Sequence, residues 1–235
     1  MTACHSSHRE EELHQGAGTG EISELEKRSA DVEQLSRSED HLELLQSFSS
    51  LNAKRCLKRV QQYEVDVTLD PKTASPYLIL SDDGKQVKHG DEKKTIEDSP
   101  ERFELCCVLA KQSFSTGRFY YEVQVEGKTN WDVGVARESI NRKGTIKLCP
   151  QDDEYKACVN APVSLSLSSQ PEKVGVFVDY EEGLVSFYDV DAAALIYSFT
   201  NCSFTEKLYP YFDPFLNNGG KNSAPLIISP VNQTE

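Results

Sequence analysis

The 235-residue chain holds seven cysteines, Cys4, Cys56, Cys106, Cys107, Cys149, Cys158 and Cys202, and five histidines. These are the residue types that nucleophilic, redox and metal chemistry use first. Their spacing favours none of the three. The cysteine count is odd, two are adjacent and no C-x-x-C pair occurs, so neither a disulfide framework nor a zinc site is expected. The thiols read as reduced, several of them buried. Cys4, His5 and His8 could be drawn as metal ligands, but a polar terminus supplies no fourth partner. Asp179, Glu181 and Glu182 could form an acid pair or a cation site; a hairpin turn carrying solvated acids explains them better, as it does Asp152-Asp153-Glu154. Gly16-Ala17-Gly18-Thr19-Gly20 has no strand before it and lacks phosphate-loop spacing, so it reads as a flexible linker. No G-x-S-x-G or H-E-x-x-H occurs, and no histidine falls inside a strand pattern to act as acid or base. The chain is expected to catalyse nothing and to need no metal or cofactor.

Charge narrows the partners. Net charge is −13 and the sequence pI about 4.9, a balance opposed to nucleic-acid backbone, which needs concentrated Lys and Arg. It is equally opposed to docking on anionic membranes. The first twenty residues lack an apolar signal region, and no run approaches the ~20 apolar residues of a membrane span. A soluble cytoplasmic protein is expected. Hydrophobic content of 38% with 27% charged residues fits that class.

The elements that would position any site come next. Residues 1–20 are expected to be disordered. Over 21–60, Ile22, Leu25, Val32, Leu35, Leu42, Leu45 and Phe48 fall at helical spacings, with no Pro or Gly between Glu21 and Glu64. Two readings stay open: the end of a coiled coil, or an amphipathic helix folded on the following domain. The apolar seam is short and interrupted by Ser29, Ser36 and Glu39, so any dimer through 21–60 would be weak.

Beyond Gln61 the pattern is β throughout. Gly117 to Arg137 reads as the centre. Phe119, Tyr121, Val123 and Val125 alternate with polar or amphipathic neighbours, which predicts a strand with one buried face. Gly127-Lys128-Thr129-Asn130 is a polar turn, and Trp131-Asp132-Val133-Gly134-Val135 a return strand, so a β-hairpin is expected. Trp131, the single Trp, is expected in the core. Further strands are predicted at 65–69, 77–80, 102–110, 145–149, 154–159, 163–167, 195–199, 208–212 and 226–228. Lys173 to Val190 reads as a second hairpin turning at Tyr180-Glu181-Glu182-Gly183. About a dozen short strands predict an all-β sandwich.

These residues bring a family into view. Leu69-Asp70-Pro71, Trp131-Asp132-Val133-Gly134-Val135 and Val178-Asp179-Tyr180-Glu181 stand in the order and rough spacing of the three hallmark motifs of a PRY-SPRY domain. Gly117 to Val123 and Leu208-Tyr209-Pro210-Tyr211-Phe212 are also family-like. The resemblance covers about 61–231, with PRY near 61–113 and SPRY near 114–231. Residues 21–50 resemble the end of the coiled coil of tripartite-motif ubiquitin ligases, particularly fish ones. The resemblance implies an all-β, bent antiparallel sandwich behind an N-terminal α-helix. It implies a recognition module whose loops bind a peptide or protein surface, here without the RING whose Cys and His spacing ligase activity needs. In a tripartite-motif context the partner would be a pathogen component or an immune-signalling protein.

One departure stands out. Relatives carry an extra strand with paired aromatics, Trp among them, between the WDVGV strand and the segment matching Glu154-Tyr155-Lys156-Ala157. Here the stretch 144–154 is short by about ten residues. That removes apolar anchors from the expected pocket and is expected to leave a gap in one sheet.

The expected binding residues follow. Lys128, Thr129 and Asn130 sit at a tip that walls the pocket in relatives; plain turn chemistry explains them as well. Tyr155 belongs to the segment beside the shortened stretch. Phe215, Leu216, Asn217 and Asn218 place an apolar pair in a polar loop, better explained by binding than by core. Asp83 and Lys85 belong to a charged loop, 82–92, read either as solvated or as a variable recognition loop. The alternative to a recognition module is a regulatory fragment with an inactive pocket, acting through 21–60 by joining longer relatives.

Overall fold

The computed structural model describes residues 41–144 and 170–231, with side chains from Ser50 onward. The chain divides into two compact units, Met1–Asn52 and Ala53–Glu235. Helix α1 spans His41–Gln61, and its last turn carries Lys58 and Arg59, cations that favour a helix C-terminus. Residues 21–40 of the expected helix lie outside the described residues.

Ten strands follow: β1 Leu78–Leu80, β2 Gln86–His89, β3 Val108–Leu109, β4 Arg118–Gln124, β5 Asp132–Arg137, β6 Lys173–Asp179, β7 Leu184–Asp189, β8 Ala194–Phe199, β9 Leu208–Asp213 and β10 Leu226–Ser229. They form a seven-stranded sheet ordered β1-β2-β10-β4-β6-β7-β8 and a three-stranded sheet ordered β3-β9-β5. Every named pairing is antiparallel, so the expected all-β sandwich is what forms. Phe119, Tyr121 and Val123 from β4 meet Val133, Val135 and Phe212 from the smaller sheet in one core.

Two central expectations are overturned. First, β4 and β5 are not a hairpin. β4 pairs with β6 and β10, whereas β5 pairs with β9 in the other sheet, so 125–131 is a crossover between sheets. Period-two alternation identifies a strand and not its neighbour, and seven connecting residues exceed the two to five usual for a hairpin loop. Second, β4 is buried on both faces. Tyr120 is fully buried and Glu122 is 1% exposed, because the end of α1 covers that side: Leu57 and Val60 cluster with Tyr120, Phe177, Ala193 and Val231. Burying those two aliphatic side chains stabilises this arrangement by at most about 3–6 kcal/mol.

Beneath the helix lies a buried polar group. Glu122 Oε1 accepts from Tyr120 Oη and from Gln61 Nε2, each at 2.9 Å, and Lys173 Nζ stands 3.5 Å from Glu122 Oε2. The carboxylate is thus satisfied by one residue of its own strand, one from the helix end and one from β6.

The smaller corrections have local causes. The strand expected over 65–69 is reduced to isolated bridges at Glu64 and Leu69. That over 102–110 shrinks to β3, because the Cys107 N–H turns back to the Leu105 carbonyl at 2.7 Å and leaves Leu105 exposed. The β6–β7 hairpin forms as expected, and Gly183 is required in its turn: φ is +59°, and a Cβ there would lie 2.1 Å from the Cys202 carbonyl oxygen. Cys56, Cys106 and Cys107 are free thiols, whereas Cys202 is disulfide-bonded, against the expectation of reduced thiols. The strands expected over 145–149, 154–159 and 163–167, and the shortened stretch itself, lie outside the described residues.

Candidate functional site

The crossover 125–131, the loop after β9 and the residue after the β1–β2 hairpin meet at one end of the sandwich. Asn222, 1% exposed, joins the first two. Its Oδ1 accepts from the backbone N–H of Thr129 at 2.9 Å and of Asn130 at 3.3 Å. Its Nδ2 donates to the carbonyls of Asn130, Pro214 and Leu216 at 3.0, 3.0 and 3.1 Å. Its own N–H reaches the Asn217 carbonyl at 3.0 Å. Only an amide offers two donors and an acceptor on one short side chain, which bridging these two loop backbones requires. Asn217 Nδ2 then donates to Asp91 Oδ1 at 2.8 Å, tying in the segment that follows β2.

This frame forces the loop outward. Phe215 has φ +55° and Asn218 φ +51°; for a bulky residue such a conformation persists only where surrounding bonds over-determine it. The Phe215 N–H is held by Asp213 Oδ1 at 2.8 Å. The result is an apolar pair, Phe215 at 37% and Leu216 at 55% exposure, displayed on a loop held from within by Asn222.

Of the residues singled out from sequence, Thr129, Asn130, Phe215, Leu216, Asn217 and Asn218 come together here. Lys128 is present but turned inward. It is 3% exposed, and its ammonium donates to the Ala224 carbonyl at 2.9 Å and towards that of Asn222 at 3.4 Å. Burial pushes it down to about 8, against the pull of Asp213. Its role is to hold the loop, not to present a charge. Asp83 and Lys85 lie elsewhere. Both serve the β1–β2 turn, where Asp83 accepts from Ser81 Oγ and from the Lys85 N–H, and Lys85 pairs with Asp66. That turn is at the opposite end of β2 from Asp91, the acidic residue that does join the cluster. Tyr155 lies outside the described residues. Trp131 is partly buried, packed against the main core.

Sequence reasoning missed Asn222 and Asp213, and it named the loop 82–92 without singling out Asp91 within it. An Asn after a Gly pair is ordinary turn composition, and nothing in one sequence distinguishes it from a solvated loop residue.

Electrostatics at this end are unusual. Asp132 and Asp213 are directly opposed across β5 and β9. Burial raises Asp132 to about 6. Burial also raises Asp213 to about 7, with Asp132 adding to the shift while the Phe215 N–H and Lys128 oppose it. The Cys106 thiol beside them is raised to about 11, burial first and Asp213 second. Burial holds the Cys106 thiol protonated, and among the described residues of this set no base is hydrogen-bonded to a nucleophile. Among the described residues no three His, Cys, Asp or Glu side chains converge to hold a metal. A cleft of about 420 Å³ also opens on the domain, lined by Thr73, Glu101, Leu109, Glu138, Arg142 and Tyr209 among others.

Comparison with known proteins gives three family matches. Residues 118–226 match the SPRY domain, 67–114 the SPRY-associated domain PRY, and 11–76 the TRIM protein coiled-coil region. The chain is 51% identical to "Nuclear factor 7, brain" of Xenopus laevis over 169 residues, 67% of this chain and 28% of that protein. It is 44% identical to human "Pyrin" over 182 residues, 73% of this chain and 23% of that one. With the mouse "Probable E3 ubiquitin-protein ligase TRIML1" it shares 42% identity over 181 residues, 72% and 38% of the two chains. The chain thus spans about a quarter to two fifths of the length of these relatives. The solved PSpry domain of TRIM65 superposes with a TM-score of 0.55 at 21% identity, covering 73% of this chain and 94% of that one; it shares the fold.

Proposed function

The chain belongs to the PRY-SPRY proteins of the tripartite-motif family, and on that premise we propose that it is a non-catalytic recognition protein whose partner docks on the loop cluster around Phe215 and Leu216. PRY-SPRY domains of this family are protein-interaction modules. The observation that carries the reading here is the exposed apolar pair on a loop internally fixed by Asn222: a preformed anchor costs little ordering on binding. Thr129, Asn130 and Asn218 would form the polar rim around it. A role in innate immunity or in directing a ubiquitin ligase to its target, in the cytoplasm, is the setting the reading implies. Among the described residues no helix is long and apolar enough to cross a membrane.

A second reading has its own support in the coiled-coil match over 11–76, which suggests oligomerisation: weak association through 21–60 would join this chain to longer relatives. One experiment separates the two. Proximity labelling in cells should compare wild type with Phe215→Ala/Leu216→Ala. Both side chains are exposed, so thermal unfolding should move by less than ~1 kcal/mol, whereas loop-dependent partners should lose roughly tenfold or more of their signal. A labelling profile unchanged by the double substitution would sink the loop reading and leave the helix as the seat of function.

A further inference from the structure

We propose that this loop cluster selects partner segments carrying a cationic side chain, a Lys or Arg whose charged head enters at Asp132 and Asp213 while a neighbouring apolar residue meets Phe215 and Leu216. The inference rests on the recognition reading above and specifies its ligand chemistry.

The two carboxylates are unusual for what they lack. As directly opposed residues of β5 and β9 they share one side of the smaller sheet, and like charges in that position destabilise a strand pair. Asp213 receives a single hydrogen bond, from the Phe215 N–H. The Asp132 carboxylate takes part in no hydrogen bond or ion pair among the described residues. Lys128 is the cation close enough to influence Asp213, yet its ammonium is committed to the carbonyls of Ala224 and Asn222. An acid pair that were merely structural would be expected to have its cation within the fold.

A second observation points to the same place. Tyr211 lies on the same side of β9 as Asp213, two residues away. It is fully buried, and its hydroxyl has no oxygen or nitrogen partner, only the weak Cys107 thiol beside it. That hydroxyl feels both Asp213 and Asp132. A buried hydroxyl left with so weak a partner, beside two carboxylates without a cation of their own, marks a site short of its complement. The other titratable groups around Asp213 are Cys106 and Cys107, both held as thiols by burial, so neither supplies the missing charge. An incoming Lys or Arg would, and its aliphatic stem would lie along apolar surface.

The pH dependence has a definite sign. Both carboxyls are raised into the range 6–7, so at neutral pH the pair still holds part of its proton complement. A cation prefers the ionised pair, so binding should release protons and tighten as pH rises from 5 to 8.

The test is to select a random peptide library on the full 235-residue chain and titrate the winners against wild type, Asp132→Asn, Asp213→Asn and Leu216→Ala. Asn at 213 can still accept from the Phe215 N–H, so that variant should stay folded. Winners should be enriched in Lys or Arg, lose roughly tenfold in affinity with either Asn variant and lose similarly when their Arg is replaced by citrulline. Winners that need Leu216 but carry no cation, or ignore both Asn variants and citrulline, would overturn the cation site and leave loop recognition standing. Winners indifferent to Leu216→Ala as well would overturn both.

Discussion

Replacing Asn222 by Ala is expected to cost about 3 kcal/mol or more and to abolish partner capture, although the side chain never reaches the surface. Five contacts leave with the amide. Each hydrogen bond is worth ~0.5–1.5 kcal/mol net, and each backbone group left buried and unpaired costs ~1–3 kcal/mol. Some of those groups would reach water once the loops part, which keeps the total near the lower end of the sum. Denaturant unfolding gives the cost, and hydrogen exchange locates it: amides of 127–131 and 213–222 should lose protection first. A loss below ~1 kcal/mol with protection unchanged would mean the loops hold themselves. Asn222→Asp is the sharper comparison. It keeps the acceptor for Thr129 and Asn130 but sets a carboxylate against three carbonyl oxygens, so it should be no better than Ala.

The second large effect lies on the far side of the big sheet. Glu122→Leu should destabilise by about 3–5 kcal/mol, the usual consequence of removing one partner of a buried ion pair. It strands Lys173, 16% exposed at the side chain, together with the Tyr120 hydroxyl and Gln61. Adding Lys173→Met should recover much of that loss, since an apolar replacement of both partners removes the uncompensated charge. Calorimetric unfolding of the single and double variants settles it; a double variant no more stable than the single would show that the loss comes from packing and not from charge.

How far the fold was legible in the sequence depended on which interactions a short segment could report. β6 and β7 were readable because alternation, turn acids and Gly183 agree within eighteen residues. β4 was readable as a strand, but its neighbours were not, because its partners Lys173 and Ile227 lie some fifty to a hundred positions away. Its second buried face was misread for a related reason: Tyr120 and Glu122 look solvent-facing until a helix end from 57–60 is laid over them. At the site, Phe215 and Leu216 were visible as misplaced apolar residues. Lys128 misled, since a lysine in a polar turn ordinarily faces water. Asp213 read only as the start of the loop after the strand 208–212, because its significance comes wholly from standing opposite Asp132.

The cover that α1 places on β4 also sets where this domain can be cut. The SPRY-associated match begins at 67, but the compact unit begins at Ala53, and the intervening residues include Leu57, Val60 and Gln61. A recombinant piece starting at Val67 would uncover Tyr120, Phe177 and Val231 and leave Glu122 without its Gln61 contact. Such a piece should be sticky and poorly soluble, as a newly bared apolar patch predicts, while one starting at Ala53 should stay monodisperse in light scattering. Homology and autonomy therefore draw the border in different places, and an assay built on the homology border would report on a damaged sheet.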